Sequence, residues 1–370
     1  GKTYSFSQIA RLADAVDAAA RSLGFDGDAP IGVLLRNRPT LFAAAVATVW
    51  RGHCLITINP LLPAAPLRAD ILALAAPILI ADEEDWNNTH LREAAAKTGA
   101  LCLSLDADGL AVRPVEGLGG VRGGNHRVSA PGVAVEMLTS GTTGAPKRVQ
   151  LQRRSLERSL WTGAKYEAGN SGELALKRSA ALQWMPLVHV AGLFNALYSI
   201  YNGRRVLLME RFDLDRWRDL IVEHRPRFAN IPPSYLRALL ERGFAKEDFS
   251  SLMVLRTGAA PLDHDLALEF ERRYGVPVIE AYGATEFAGG VAGWTLKDYK
   301  QFGAAKRKSV GRANEGVELR IVDRDSFAPL PAETIGLLEV RTKQMGEGKD
   351  WIRTTDLASI DAEGFLYIHG

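Results

Sequence analysis

Cysteine is nearly absent from this 370-residue chain, which holds two, Cys54 and Cys102. Two isolated cysteines make neither a disulfide framework nor a zinc-ligand spacing, and they suit a reducing compartment, the cytoplasm. An excess of either charge is lacking too: 45 Lys and Arg stand against 43 Asp and Glu, a formal net charge of +2. Binders of nucleic acid or of anionic membranes normally carry a marked basic excess, so the balance argues against both. Basic runs such as Arg153-Arg154 and Lys306-Arg307-Lys308 read as solvated faces. Long apolar runs are missing. Leu41–Trp50 and Ile71–Ala81 each extend about ten residues, with Pro77 splitting the second, whereas a membrane-spanning helix takes roughly 20. No short-period repeat, low-complexity tract or signal peptide is visible. An initiating methionine is also missing, and the chain stops at Ile368-His369-Gly370 directly after a strand pattern. Both ends lead to the expectation of a trimmed chain with a further C-terminal piece.

What is present is an ordinary globular composition, 47% hydrophobic, 24% charged and 8% aromatic, long enough for two or three subdomains. Ile9, Leu12, Ala13, Val16, Ala20 and Leu23 recur at helical spacing, with Gly24 as a stop. Ile31–Leu35 predicts a strand, Pro39–Trp50 a helix, Cys54–Ile58 a strand, Leu67–Ala75 a helix and Ile78–Ala81 a strand. This alternation, with apolar strands, predicts a doubly wound, mostly parallel sheet. The Gly-rich 107–131 stretch reads as surface hairpins and loops. The α/β rhythm resumes from Val133–Leu138 and runs to a strand at Val278–Glu280. From about Ser309, short strands at Val317–Val322, Leu337–Arg341 and Phe365–Ile368 predict a small antiparallel barrel or sheet. The expected organisation is therefore paired α/β subdomains over residues 1–305 and a β-rich part over 306–370.

Four segments can carry chemistry. Thr139-Ser140-Gly141-Thr142-Thr143-Gly144-Ala145-Pro146-Lys147 follows the Val133–Leu138 strand. Its glycines let backbone N–H groups turn toward an anion, its hydroxyls add donors and its lysine adds a full charge, so polyphosphate is the matching ligand. The Walker spacing is absent, and composition alone equally allows a flexible turn. Glu280-Ala281-Tyr282-Gly283-Ala284-Thr285-Glu286 follows the Val278 strand, at the end where open α/β sheets place their sites. Tyr282 can stack on a planar base and Glu286 can hold a hard cation such as Mg²⁺; the plainer reading is a turn with a solvated carboxylate. Asp356, in Thr354-Thr355-Asp356 at a strand end, can accept from a ribose diol or serve as a turn residue. His189 lies in the apolar Met185–Leu193 stretch, a setting in which a lone histidine is more often structural than functional.

Together these segments resemble, in order and spacing, the adenylate-forming superfamily of acyl-CoA synthetases and their relatives. Gly258-Ala259-Ala260-Pro261-Leu262, Ser309-Val310-Gly311-Arg312 and Asn59-Pro60 support the likeness, which covers essentially the whole chain. The resemblance implies a large domain of two α/β subdomains plus a β-barrel, with a mobile C-terminal domain beyond the present end. It implies attack of a carboxylate on ATP to give an acyl-adenylate and pyrophosphate, then transfer to a thiol, usually that of CoA, with release of AMP. No protein nucleophile is needed. Carried over, Thr139, Ser140, Gly141, Thr142, Thr143, Gly144 and Lys147 would cradle the phosphates. Thr285 would meet the α-phosphate and Glu286 would hold Mg²⁺. Gly258, Ala259, Ala260, Pro261, Glu280, Ala281, Tyr282 and Gly283 would form the adenine slot, Asp356 would hold the ribose, and His189 would border the acyl carboxylate. Leu187–Val190 offers no acid to pair with an α-ammonium, which favours a non-amino acid, aliphatic or aryl. A carrier protein is an alternative thiol donor, and a non-catalytic ligand-binding member is a third reading. Three departures bear on it: Arg148 follows the loop lysine in place of glycine, Thr355 replaces the glycine before the aspartate, and 338–351 is short. Arg148 is expected to crowd the loop or to add charge to it.

Overall fold

The computed structural model describes residues 2–121, 126–138, 147–165, 175–258, 260–284, 287, 289–342 and 350–370. The chain forms two compact units. Gly1–Glu157, Trp184–Leu193 and Leu208–Arg211 make the first, and Arg158–Gln183, Phe194–Leu207 and Phe212–Gly370 the second.

The first unit runs α1 (Phe6–Ser22), β1 (Pro30–Leu34), α2 (Pro39–Trp50), β2 (Cys54–Ile58), α3 (Ala64–Leu74) and β3 (Ile78–Asp82). It continues with α4 (Thr89–Thr98), β4 (Leu101–Asp106), β5 (Ala111–Gly119), β6 (Val133–Leu138) and β7 (Arg148–Gln152). Local chemistry sets the helix starts. Ser5 and Gln8 form a capping box ahead of α1, Pro39 occupies the first turn of α2, and Asn88 accepts from the first amides of α4. The strands assemble as β5-β4-β3-β1-β2-β6-β7, parallel in the centre and antiparallel at both edges. Every residue of β1, β2 and β3 is buried, which is why they read as unbroken apolar runs: helices cover both faces of such a sheet. The 107–131 stretch, expected to be hairpins and loops, contains the edge strand β5, whose mostly exposed residues give little apolar signal. Cys54 and Cys102 are free and buried, and burial raises their thiols to about 11 and about 12.

Next along the chain come α5 (Arg153–Lys165), β8 (Ala180–Gln183), α6 (Val190–Tyr201) and β9 (Arg205–Leu208). The second unit goes on through α7 (Leu214–His224), β10 (Phe228–Asn230), α8 (Leu236–Arg242), β11 (Val254–Gly258), α9 (His264–Tyr274) and β12 (Val278–Ala284). Then follow β13 (Gly289–Gly293), α10 (Leu296–Phe302), β14 (Arg312–Ala313), β15 (Val317–Val322), β16 (Gly336–Thr342), β17 (Ile352–Ile360) and β18 (Leu366–Ile368). Strands β10, β11 and β12 are parallel, and β13 and β14 extend that sheet antiparallel. An aromatic core supports it, with the Phe249 ring 6.0 Å from Trp217, 5.8 Å from Phe270 and 4.9 Å from Tyr274. The β15-β16-β17-β18 sheet is antiparallel throughout, as the short strands led one to expect. It closes over Val317, Ile321, Leu338, Val340, Ala358 and Leu366. The architecture is that of two α/β sheets plus a half-barrel. Among the described residues no helix is long and apolar enough to cross a membrane.

Candidate functional site

Two expected strand ends are displaced, and the displacement shapes the site. The strand expected at Val278–Glu280 runs on to Ala284, so Tyr282 and Gly283 lie within β12 rather than past it. The parallel partner β11 reaches only as far as Gly258 opposite Ala281, and β13 takes over the pairing beyond. A Cβ at Gly283 would stand 2.4 Å from the Gly289 carbonyl oxygen, so only glycine admits this approach of β13. Asp356, expected at a strand end, sits inside β17. There Leu337 pairs with Leu357 and Glu339 with Arg353, so extra residues of β17 bulge opposite Leu338. Thr354 holds the bulge: its hydroxyl donates to the Leu338 carbonyl at 3.0 Å and accepts from the Asp356 amide at 3.1 Å. A bulge re-aims a side chain, and here the Asp356 carboxylate meets the Tyr282 hydroxyl, which donates to it.

Gly258, Ala281, Tyr282 and Gly283 thus come together at the carboxyl edge of the second sheet, where register places Gly258 beside Ala281, while Ala260 and Pro261 follow β11 in the chain. Glu280 also lies on β12 but is buried in a hollow formed with His264, Trp294, Tyr299, Arg307 and Ser309. His264 Nε2 stands 3.8 Å from its carboxylate. Burial pushes the Glu280 carboxyl up to about 7. Burial, helped by the Lys308 charge, pushes the His264 imidazole down from 6.5. Both shifts favour the uncharged form of each group, so burial works against an ion pair between them.

The first unit carries Lys147 and His189. Lys147 is exposed, one residue before β7. His189 is exposed and its carbonyl accepts from the Leu193 amide at 3.0 Å, which makes it the N-cap of α6. Thr139, Ser140, Gly141, Thr142, Thr143, Gly144, Ala259, Thr285 and Glu286 lie outside the described residues.

The 139–146 loop that Arg148 was expected to crowd or charge lies outside the described residues, but the partners of Arg148 itself are in view. Its Nη2 donates to both carboxylate oxygens of Asp70 on α3 at 2.8 and 2.7 Å, and the guanidinium lies 3.4 Å from the Thr57 carbonyl oxygen and reaches within 3.9 Å of Glu136. Glu136 is 2% exposed in the middle of β6. Arg127 binds it with both terminal nitrogens, and Gln150 donates to it at 3.2 Å from the facing position of β7. The arginine charge is therefore consumed by a buried network. Asp70, Glu136, Arg127 and His264 are residues that sequence reasoning did not single out. Buried Glu136, in an otherwise apolar strand, was the one available signal.

An aromatic ring, a bare backbone and a carboxylate thus meet at the carboxyl ends of parallel strands, the edge at which open α/β folds bind their ligands. The chain belongs to the AMP-binding enzyme family, whose model matches residues 1–348. It is 27% identical to 4-coumarate–CoA ligase-like 9 of Oryza sativa subsp. japonica, across 100% of this chain and 69% of the relative. It is also 27% identical to 4-coumarate–CoA ligase 1 of the same organism, over 99% of this chain and 67% of the relative. Among solved structures, ATP-bound MatB from Rhodopseudomonas palustris shares the fold with a TM-score of 0.81 at 23% identity, covering 100% of this chain and 74% of that one.

Proposed function

We propose that the chain activates a non-amino carboxylic acid, fatty or aryl, as an acyl-adenylate and passes the acyl group to CoA. The observation that carries this is the meeting of Tyr282 and Asp356 beside Gly258 at the strand edge, in a chain of the AMP-binding family. The relatives' names, 4-coumarate–CoA ligases, support the acid–thiol chemistry and point toward an aryl acid.

In the first step the acid's carboxylate oxygen bonds to the α-phosphorus of ATP and the bond to pyrophosphate breaks. In the second, the CoA thiol attacks the acyl carbon and AMP leaves. Both are displacements that need alignment and charge neutralisation rather than a protein nucleophile. Alignment can lower a barrier by ~7–11 kcal/mol. Lys147 and the Thr139–Gly144 donors take the phosphates, Tyr282 offers its ring to adenine, and Asp356 accepts from the ribose hydroxyls. One Asp356 lone pair is used by Tyr282, leaving the others for the diol. Thr285 meets the α-phosphate, and Glu286 would hold Mg²⁺, a hard cation suited to a carboxylate oxygen that would neutralise phosphate charge. His189 borders the acyl carboxylate, and no acid stands in Met185–Leu193 to hold an ammonium group.

The test is acid-dependent ATP–pyrophosphate exchange with a panel of aliphatic and aryl acids, measured on the natural full-length protein, with hydroxylamine trapping of the adenylate. Exchange with an aryl or fatty acid is expected; exchange with none of them refutes the reading. Because Lys147 is exposed, Lys147→Ala should leave folding intact and weaken Mg·ATP binding at least about tenfold. Unchanged calorimetric affinity would remove Lys147 from the phosphate site.

A further inference from the structure

The segment that carries His189 has no regular structure of its own between β8 and α6, yet it is tightly held. Asn37 holds it. This residue follows β1 in Arg36-Asn37-Arg38 and is 6% exposed. Its Nδ2 donates toward the carbonyl oxygens of Trp184 at 2.8 Å, Met185 at 3.0 Å and Met209 at 3.2 Å. Its Oδ1 accepts from the Leu187 amide at 2.9 Å. A carboxamide presents two N–H donors and one carbonyl oxygen, so one short side chain matches both halves of this backbone. Aspartate offers no donor, and leucine offers neither group.

The grip passes directly to His189. Leu187 is fully buried, the His189 amide donates to the Pro186 carbonyl at 3.0 Å, and a Cβ at Gly192 would lie 2.1 Å from that same oxygen. The 186–192 turn is thus closed on itself. Arg38 adds a clamp beside Met209, its Nε donating to Glu210 at 2.9 Å. All of these residues belong to the first unit.

We infer that Asn37 is a positioning residue for the acyl-carboxylate site: through three backbone contacts to the Trp184–Leu187 segment and one to Met209 it fixes that segment and so the place of His189. This rests on the proposed function, since His189 matters for catalysis only if it faces the acid. Asn37→Ala and Asn37→Asp remove the donors, and Asn37→Ser is a milder change for the case in which those variants do not fold. Three measurements are read together: hydrogen exchange by mass spectrometry, KM for the best acid of the exchange panel, and KM for Mg·ATP. The Leu187-containing peptide should exchange about tenfold faster while β1 and β2 peptides keep their rates. The acid KM should rise about tenfold with Mg·ATP KM changed less than twofold, and His189→Ala combined with Asn37→Ala should be no worse than His189→Ala alone. Retained protection at Leu187 overturns the inference. So does an equal change in both KM values, which is what a general loss of structure would give. A wild type that exchanges with no acid refutes the proposed function instead, and the Leu187 protection then decides the anchoring role by itself.

Discussion

Glu280→Gln separates the electrostatic cost of a buried acid from its role in shape. Glu280 is 9% exposed, and the groups facing it are His264, Tyr299, Arg307 and Ser309, with Lys308 near the histidine. Burial raises its carboxyl from 4.5 to about 7, whereas in the unfolded chain it titrates near the ordinary value. Between those two pH values the folded protein keeps a proton that the unfolded chain has released. Stability is therefore full below about 4.5 and declines as pH rises through about 7. At 1.36 kcal/mol per pH unit, the interval amounts to about 3 kcal/mol once the group is ionised. Glutamine keeps the shape and does not titrate. Parent and variant should be equally stable near pH 4.5, and the variant should exceed the parent by about 3 kcal/mol at pH 8. A folded unit of 150–250 residues shifts by roughly 2–4 °C per kcal/mol, so melting curves should separate by roughly 6–12 °C across that range. Circular-dichroism melts at half-unit pH steps measure it. Two curves that stay parallel from pH 4.5 to 8 would refute the assignment of a buried, neutral acid.

Two further substitutions test the contacts that hold the site. Arg148→Met leaves Asp70 half-buried without its arginine partner, and breaking a buried pair from one side costs about 3–5 kcal/mol; with both side chains partly exposed, about 2 kcal/mol is expected in urea denaturation. Adding Asp70→Asn should restore part of that loss, and a single variant as stable as the parent would show that the pair contributes nothing. Tyr282→Phe keeps the ring and removes the hydroxyl that orients Asp356; hydrogen bonds to charged groups are worth about 1.5–3 kcal/mol, so AMP should bind roughly tenfold to a hundredfold more weakly by calorimetry. Unaltered AMP affinity would mean that the tyrosine hydroxyl plays no part in holding the ribose carboxylate.

The elements that apolar spacing predicted are those whose residues are buried on every side. Cys54–Ile58 and Pro39–Trp50 match their expected spans because a strand between two helical layers and a helix opened by proline each leave a local mark. The edge strand β5 and the bulged β17 left none, since their form is imposed by a neighbour: β4 in one case, β16 in the other. The same distinction governs the site. That Tyr282 and Asp356 belong together was legible from the family likeness. That the two side chains touch depends on Thr354 and on a register shift opposite Leu338, neither of which has a local sequence signature. Asn37 was invisible for a related reason. A buried amide that serves a distant backbone looks, in sequence, like any polar loop residue between two arginines.

Arg148 shows how a departure from a family pattern is to be weighed. Taken alone, a long cation in place of glycine beside a phosphate loop is an argument for lost function. In the fold it is one member of a set: Asp70 on α3 and Glu136 on β6 meet its charge, and Arg127 and Gln150 complete the partners of Glu136. A buried acid such as Glu136 without basic partners would cost several kcal/mol, so the acid and the two arginines are intelligible only together. Leu138 and Arg148 face each other across β6 and β7, and the ties to Asp70 and Thr57 fix the β7 side of that base to α3 and β2. The substitution that looked like damage to the lysine's surroundings is thereby an anchor one residue away from Lys147, tying the start of β7 to α3 and β2.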